Sequence, residues 1–466
     1  MKFSRYNILS RQLSGGNYIL MNGMTGTLDR IDGEAYDLIR AHADDEALSQ
    51  DVLDEMEEVR DHFLDRGYLT ELDSAEELAK AEEFAYTLAE DVEKAKWTVL
   101  LLPSLGCNYR CTYCFEQGAG YPAVTMSRKQ VDAIFEIIKG HMEPGAQLSL
   151  YGGEPLTKEN RDLVGYIVEK GKANGNSFFA VTNGHDLDSY MDLLGKDGIG
   201  SLQISVDGPR EIHDRRRIAL DGDSSYDRIM SNIEKALRNT DVEIHLRINI
   251  DKTNAPFVMD LLKELEQSGF LENKSFNVVA NQVIGAGDIT VDSRDLRKLE
   301  EEVEKKYPQL QDMFTGRTRE SNDLFIRALY FGEPVPKRIS VCGASGGMKL
   351  FSPDGKIYSC WSCLGYPDHV IGTFDEAGNV SWNQEVLEKW KRTMLPYNRD
   401  CLACRYAFLC GGGCHRPALK GETSAAAYEC DYYKTMFSGY LARIADAYLD
   451  SGSVSAADQE QDTSGA

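Results

Sequence analysis

Eleven cysteines are the residues of this 466-residue chain whose type and spacing most directly imply chemistry. Three form one tight run, Cys107-Asn108-Tyr109-Arg110-Cys111-Thr112-Tyr113-Cys114, a C-x3-C-x2-C pattern. The other eight, Cys342, Cys360, Cys363, Cys401, Cys404, Cys410, Cys414 and Cys430, are gathered toward the C-terminal end. An odd number, with no apolar secretory region after Met1-Lys2-Phe3-Ser4-Arg5, argues against a disulfide framework and for metal or redox chemistry. Three thiolates in one loop can hold three irons of a [4Fe–4S] cluster and leave the fourth open to chelate a small molecule. The competing reading is a zinc knuckle, but zinc wants four ligands and no fourth Cys or His lies nearby in sequence.

The elements that must position this loop follow from periodicity. The run comes directly after Trp97–Leu102, a continuous apolar stretch of the kind a doubly buried strand gives. Further strands are expected at Gln147–Tyr151, Phe178–Thr182, Leu202–Val206, Glu243–Ile250 and Ser275–Ala280. Helices are expected between them, at 127–139, 158–172, 187–194, 226–238 and 256–267. Six strands, five helices and short loops imply a parallel sheet, open or curled into a partial barrel, with functional residues at the C-terminal strand ends. Polar segments stand at those ends: Tyr151-Gly152-Gly153-Glu154-Pro155, Thr182-Asn183-Gly184 and Ser205-Val206-Asp207-Gly208. Arg247-Ile248-Asn249 lies on the fifth strand. Glycines let backbone approach a ligand closely, and a carboxylate such as Glu154 suits an ammonium. Each segment taken singly also fits a plain capped strand end.

In order along the chain, the three-cysteine loop and these segments resemble the radical S-adenosylmethionine (SAM) enzymes, over residues 97–290. The resemblance implies an α/β fold built as a partial (β/α)6 barrel. It implies that Cys107, Cys111 and Cys114 hold a SAM-binding [4Fe–4S] cluster. Gly152, Gly153, Glu154 and Pro155 would meet the methionine amino group. Ser205 and Asp207 would contact ribose and carboxylate, Asn183, Arg247 and Asn249 would supply polar contacts, and Tyr113 would lie near the adenine. The implied chemistry is one-electron cleavage of SAM to a 5′-deoxyadenosyl radical, which takes hydrogen from an unactivated C–H bond. The electron implies a reducing partner such as flavodoxin or ferredoxin. The eight later cysteines resemble the SPASM extension, which carries two auxiliary [4Fe–4S] clusters. The family's interleaving assigns Cys342, Cys360 and Cys414, with Cys363 as natural fourth ligand, to the first, and Cys401, Cys404, Cys410 and Cys430 to the second. Three clusters then use all 11 cysteines.

Residues 1–95 form a distinct α+β block. Strands are expected at Tyr6–Gln12, Asn17–Met21 and Thr25–Ile31, and helices at Glu34–His42 and Gln50–Arg66. Ser74-Ala75-Glu76-Glu77 opens a third, acidic helix as a capping box. This winged-helix-like block resembles the leader-recognition domain of ribosomal-peptide (RiPP) maturases, which implies a precursor peptide held as an added strand. Its 23 acids against 10 bases over residues 1–96 imply basic residues in the leader. The expected layout is the leader domain at 1–95, the radical SAM core at 96–290 and a closing helical segment at 291–340. A SPASM domain at 341–440 and a helix end with a disordered tail at 441–466 follow. The SPASM stretch has little apolar periodicity, so bound metal is expected to substitute for a core.

With 75 acids, 51 bases and a net charge of −24, the chain repels nucleic acid and anionic membranes. No apolar run approaches bilayer length, so the cytoplasm is expected. The expected function is a peptide maturase that installs a crosslink. A thioether is favoured because auxiliary clusters can accept an electron after C–S closure. Carbon–carbon crosslinking and epimerisation are alternatives. An anaerobic sulfatase-maturing enzyme is another, although such enzymes commonly place a basic Asp where this chain has Trp361. A non-catalytic iron–sulfur electron-transfer protein is the reading from a different class. No general base is assigned, and Glu116 and His415, each beside a cysteine segment, stay open between functional and surface roles.

Overall fold

The computed structural model describes residues 1–116, 124–283, 289–310, 313–314, 319–414, 430, 433–434 and 437–451. The expected disordered tail and His415 lie outside these described residues. The chain divides into two compact units. One comprises residues 1–94, 318–345 and 389–466, and the other residues 95–317 and 346–388.

The first unit opens with β1 (Lys2–Phe3), β2 (Asn7–Leu9), β3 (Tyr18–Asn22), β4 (Leu28–Ile31) and β5 (Leu69–Thr70). β2, β3 and β4 form an antiparallel meander, and β1 pairs with β5. Alternation along β3 sends Leu20 to one face and Ile19 and Met21 to the other. Leu20 packs with Ile39, Val52, Met56, Phe63 and Tyr68 of the helical segments that follow. Ile19 and Met21, with Ile8 and Leu28, pack against Phe325, Phe437 and Tyr440. Residues 1–95 thus share a core with the helices Arg319–Phe331 and Phe437–Ser451. The expected helix over 50–66 is broken into Gln50–Glu55 and Arg60–Asp65. Like charges at Asp54, Glu55, Glu57 and Glu58 disfavour continuous helix there. The intervening turn brings both Met56 and Phe63 into one core.

The second unit holds β6 (Thr98–Leu101), β7 (Tyr109–Cys111), β8 (Leu148–Leu150), β9 (Phe178–Thr182), β10 (Ile199–Ser205) and β11 (Arg217–Ala219). It continues with β12 (Glu243–Ile250), β13 (Phe276–Gln282), β14 (Met348–Phe351), β15 (Lys356–Tyr358), β16 (Val370–Phe374) and β17 (Val380–Trp382). Ten of these make one sheet, ordered β13-β12-β10-β9-β8-β6-β14-β15-β16-β17. The run from β13 to β14 is parallel throughout, and β15 to β17 continue it antiparallel. All six expected strands are present, in sequential order across the sheet. On β12, Ile244, Leu246, Ile248 and Ile250 are buried while His245, Arg247 and Asn249 are half-buried. One face therefore packs on the covering helices and the other carries the polar chemistry. Ser127 and Gln130 cap the helix Arg128–Ile138 reciprocally. The segment Leu187–Leu193 is a 3₁₀ helix rather than an α-helix.

The four strands of residues 348–382 are an addition to the expected architecture. Pro353-Asp354-Gly355 makes the turn between β14 and β15, with Gly355 at φ +78°. Apolar Leu350, Phe351, Ile357, Tyr358 and Ile371 are all buried there, and β14 continues the parallel sheet beside β6, so this segment is ordered by apolar burial as well as by whatever its cysteines hold.

Candidate active site

The cysteine loop is held by a strand that periodicity alone does not reveal. Tyr109–Cys111 forms β7 and pairs antiparallel with β11, with Cys111 opposite Arg217 and Tyr109 opposite Ala219. Thr112 N donates to Arg216 O (2.9 Å), and Leu220 N donates to Asn108 O (3.0 Å). These bonds fix the path of the loop between its thiols.

A second support is the glycine pair. Gly152 has φ +118°, and a Cβ there would meet Ser104 O at 2.5 Å. A Cβ on Gly153 would meet Gly106 O at 2.4 Å and Leu105 O at 2.6 Å. The two segments approach more closely than any side chain would allow.

Glu154 lies 2% exposed and turns its carboxylate toward its own chain. It accepts from Thr182 Oγ1 (2.6 Å), Asn183 N (2.6 Å) and Leu156 N (2.9 Å). Burial pushes its carboxyl up to about 7, against these hydrogen bonds, which favour the charged form. Asn183 Nδ2 donates to Asn108 Oδ1 (2.7 Å), tying the end of β9 to the cysteine loop. Pro155 is buried, and its carbonyl accepts from Asn160 Nδ2 (3.2 Å).

Tyr113, Asp207 and Asn249 come together. Tyr113 OH donates to Asp207 Oδ2 (2.5 Å) and accepts from Arg217 Nη1 (2.7 Å) and Asn249 Nδ2 (3.2 Å). Asp207 is fully buried and also accepts from Asn249 N (3.0 Å). Arg216 lies 3.5 Å from Asp207 through Nε and donates to Asp251 Oδ2 (2.5 Å). Its guanidinium sits over the Tyr113 ring at 4.8 Å. Arg247 donates through Nε to Asn249 Oδ1 (3.0 Å) and reaches Gln203 Oε1 at 3.5 Å. Ser205 is buried in register with Arg247.

Sequence reasoning missed Arg216, Arg217 and His213. Arg217 is 8% exposed, and its Nε has no hydrogen-bond partner. An orphaned guanidinium nitrogen this deep fits an anionic ligand. His213 is fully buried and accepts from Asp207 N through Nδ1 (3.3 Å). Burial, with Arg217 nearby, lowers its pKa to about 3, so it is the neutral acceptor. The run Arg215-Arg216-Arg217, at the end of the short helical stretch that follows the Asp207 segment, was the available signal. Glu116 is half-buried, and burial followed by the Glu154 charge raises its carboxyl to about 7.

The thiol of Cys107 is pushed up to about 12, first by burial and then by Glu154. A bare thiolate is thus disfavoured, which is the environment a cationic iron group would reverse. In the same unit Cys363 N donates to Cys360 O (3.1 Å), and the Tyr151 ring lies 6.1 Å from that of Trp361. In the other unit Cys401 N donates to Asn398 Oδ1 (3.1 Å), and Cys404 N donates to Cys401 O (3.0 Å). Cys410 N donates to Tyr406 O (2.8 Å), and Ser340 Oγ donates to Cys342 O (2.9 Å). Cys414 is exposed. Among the described residues, no three His, Cys, Asp or Glu side chains are set to hold a single metal ion. No helix of the described residues is long and apolar enough to cross a membrane.

Residues 101–270 match the model of the radical SAM superfamily. A cysteine-type anaerobic sulfatase-maturating enzyme of Clostridium novyi (strain NT) is 23% identical over 374 residues, covering 74% of this chain and 96% of that one. A GTP 3′,8-cyclase of Hydrogenovibrio crunogenus is 31% identical over 153 residues, covering 32% of this chain and 42% of that one. The structure of native anSMEcpe with bound AdoMet superposes with a TM-score of 0.57 at 19% identity, over 76% of this chain and 100% of that one. The same fold likeness holds for native anSMEcpe with bound AdoMet and Cp18Cys peptide, at 0.57. The cysteine loop braced by β11, the strand-end hub around Asp207 and these matches agree: residues 101–270 of this chain are a radical SAM domain.

Proposed function

We propose that this chain modifies a ribosomally made precursor peptide and installs a crosslink, a thioether in particular. The observation that carries the SAM part is the hydrogen-bonded hub of Tyr113, Asp207, Asn249 and Arg217, buried at Asp207 and Arg217, set against the three-thiol loop. Cys107, Cys111 and Cys114 would hold the SAM-binding cluster. Gly152 and Gly153 give the ligand backbone access, and Glu154 balances an ammonium. Arg217 and Arg247 suit a carboxylate, and Asp207 with Asn249 fixes the Tyr113 ring for an adenine. When bound, SAM on a reduced cluster supplies the radical that takes hydrogen from an unactivated C–H bond. Burial of the hub excludes water from that event.

Two auxiliary clusters complete the proposal, one on Cys342, Cys360, Cys363 and Cys414 and one on Cys401, Cys404, Cys410 and Cys430. The turn in which Cys404 N donates to Cys401 O (3.0 Å) supports the second set, because it puts two of its thiols on one short segment. The bound peptide of the anSMEcpe structure supports a peptide substrate. The β2-β3-β4 meander offers edges for an added leader strand.

Anaerobic reconstitution with iron and sulfide, followed by SAM and dithionite, is expected to yield 5′-deoxyadenosine; intact SAM rejects the reading. Co-expression with a cysteine-bearing precursor peptide is expected to give a product lighter by two hydrogens. An unchanged mass would point to epimerisation. A second reading, sulfatase maturation, is favoured by the similarity over 74% of the chain. Trp361 at that family's base position speaks against it. Turnover of a cysteine-bearing sulfatase peptide, with the precursor untouched, would select it.

A further inference from the structure

We propose that Asp251 is a positioning residue for the SAM site: it holds the Arg216 guanidinium on the face of the Tyr113 ring and away from Asp207. The proposal rests on the reading that Tyr113 borders the adenine. Asp251 acts on the ligand only through Arg216 and Tyr113.

Arg216 is 5% exposed and Asp251 1%, so both charges are out of water. A charge held this deep depends on its partners. Arg216 Nη1 donates to Asp251 Oδ2 (2.5 Å) and Thr253 Oγ1 (2.5 Å), and Nη2 donates to Asn249 O (2.9 Å). The other carboxylate oxygen, Asp251 Oδ1, accepts from Thr253 N (2.7 Å) and Thr253 Oγ1 (2.5 Å). The turn Asp251-Lys252-Thr253-Asn254, directly after β12, is thereby closed on itself. Asn254 then locks it to the strand ends. Its Oδ1 accepts from Asp251 N (2.7 Å), and its Nδ2 donates to Asp207 O (2.7 Å) and Asn249 O (3.0 Å).

Arg216 faces two carboxylates and hydrogen-bonds only one. Its Nε makes no hydrogen bond and stands 3.5 Å from Asp207 Oδ2, the oxygen that accepts from the Tyr113 hydroxyl. Asp251 draws the guanidinium the other way, which leaves it over the Tyr113 ring, 4.8 Å from the centroid. Without the Asp251 charge, Asp207 is the carboxylate within reach of Arg216. Arg216 would then compete with Tyr113 for one oxygen, and the ring would lose both its face contact and its hydroxyl anchor. The cysteine loop has a separate support. Thr112 N donates to Arg216 O (2.9 Å), a backbone bond that a shift of the side chain leaves intact. Asp251 thus governs ligand affinity and not the assembly of the loop's iron group.

The test titrates SAM against the EPR signal of the reduced, reconstituted full chain. Asp251→Asn is expected to weaken SAM affinity about tenfold. Its iron content and its SAM-free signal are expected to match the wild type. Arg216→Met is expected to weaken affinity at least as much. Arg216→Met/Asp251→Asn is expected to weaken it no further, because Asp251 acts through Arg216. Thr253→Val removes only the hydroxyl between Arg216 and Asp251, and serves where Asp251→Asn does not fold. It is expected to weaken affinity severalfold with iron content unchanged. Wild-type affinity in Asp251→Asn, or in Thr253→Val where that variant stands in, would overturn the proposal. So would losses that add in the double variant. Iron content that falls together with affinity would make Asp251 a support of the loop and also overturn it. If the wild type carries its iron yet SAM leaves the signal unchanged, the reading of a SAM site has failed instead.

Discussion

Arg217 stands opposite Cys111 as its register partner, and its guanidinium donates to the Tyr113 hydroxyl at 2.7 Å. The strand that closes the cysteine loop thus also supplies the cation that fixes the loop's aromatic ring. Support of the thiols and shaping of the ligand pocket are one structural act.

Arg217→Met is therefore expected to harm both. It leaves Tyr113 and Asp207 with one cation fewer in a buried site, a loss of about 1–3 kcal/mol. SAM affinity, read by equilibrium dialysis on the reconstituted chain, is expected to drop about tenfold or more. Arg217→Lys is expected to recover only part, because an ammonium lacks the planar fork. Unchanged SAM affinity in Arg217→Met would remove this residue from the site.

Much of this site was legible in spacing. The C-x3-C-x2-C run, the Gly152-Gly153-Glu154 turn and Asp207 could be placed because each follows an apolar run that forms a strand. What stayed hidden was set by tertiary pairing. β7 and β11 are three residues each and carry no periodicity. Arg217 reads as one of three consecutive arginines until its partner Cys111 is known. Glu154 accepts from three donors of its own chain, among them Asn183 N and Thr182 Oγ1 on the neighbouring strand end, a pairing that spacing alone does not reveal. β14 and β15 were readable and overlooked: Pro353-Asp354-Gly355 between two short apolar runs is a hairpin signal.

Gly153→Ala tests the contact between the two loops. Its methyl would fall 2.4 Å from Gly106 O and 2.6 Å from Leu105 O, both backbone atoms that cannot rotate away. The expected outcome is a loss of about 1–3 kcal/mol from overpacking and a lower iron content after reconstitution. Gly140→Ala is the control, since a Cβ there meets nothing within 4 Å. Its φ of +78° still adds a backbone cost, so only stability, not iron content, is expected to change.

His213 predicts an acid-labile hub. Its folded pKa is about 3, depressed from 6.5 first by burial and then by Arg217. Between those values the unfolded chain binds a proton that the folded chain refuses. Stability contributed by neutral His213 is complete above pH 6.5 and is lost as pH falls toward 3. His213→Asn keeps an acceptor for Asp207 N without the titration. The difference in melting temperature between wild type and variant is expected to narrow or invert from pH 7 to pH 4.5. A difference constant over that range would contradict neutral burial.

The N-terminal block calls for a gentler probe than removal. Ile8, Ile19, Met21 and Leu28 pack directly on Phe325, Phe437 and Tyr440, so deleting residues 1–95 uncovers an apolar core. The truncated chain is expected to aggregate, and loss of leader binding in it would say nothing about recognition. Tyr6 offers a finer handle. It is fully buried, donates to Leu402 O (3.0 Å) and meets the Phe408 ring edge-on at 6.0 Å. Gly23 presses the same region, where a Cβ would meet Arg405 O at 2.3 Å. Tyr6→Phe keeps the ring and removes one hydrogen bond, so it should cost about 1 kcal/mol in denaturant unfolding. The orphaned Leu402 carbonyl lies one residue from Cys401 and two from Cys404. Amide hydrogen exchange is therefore expected to quicken across residues 401–410 ahead of the rest of the unit. Exchange that quickens evenly over residues 1–94 instead would show that Tyr6 stabilises the N-terminal core and leaves the cysteine segment untouched.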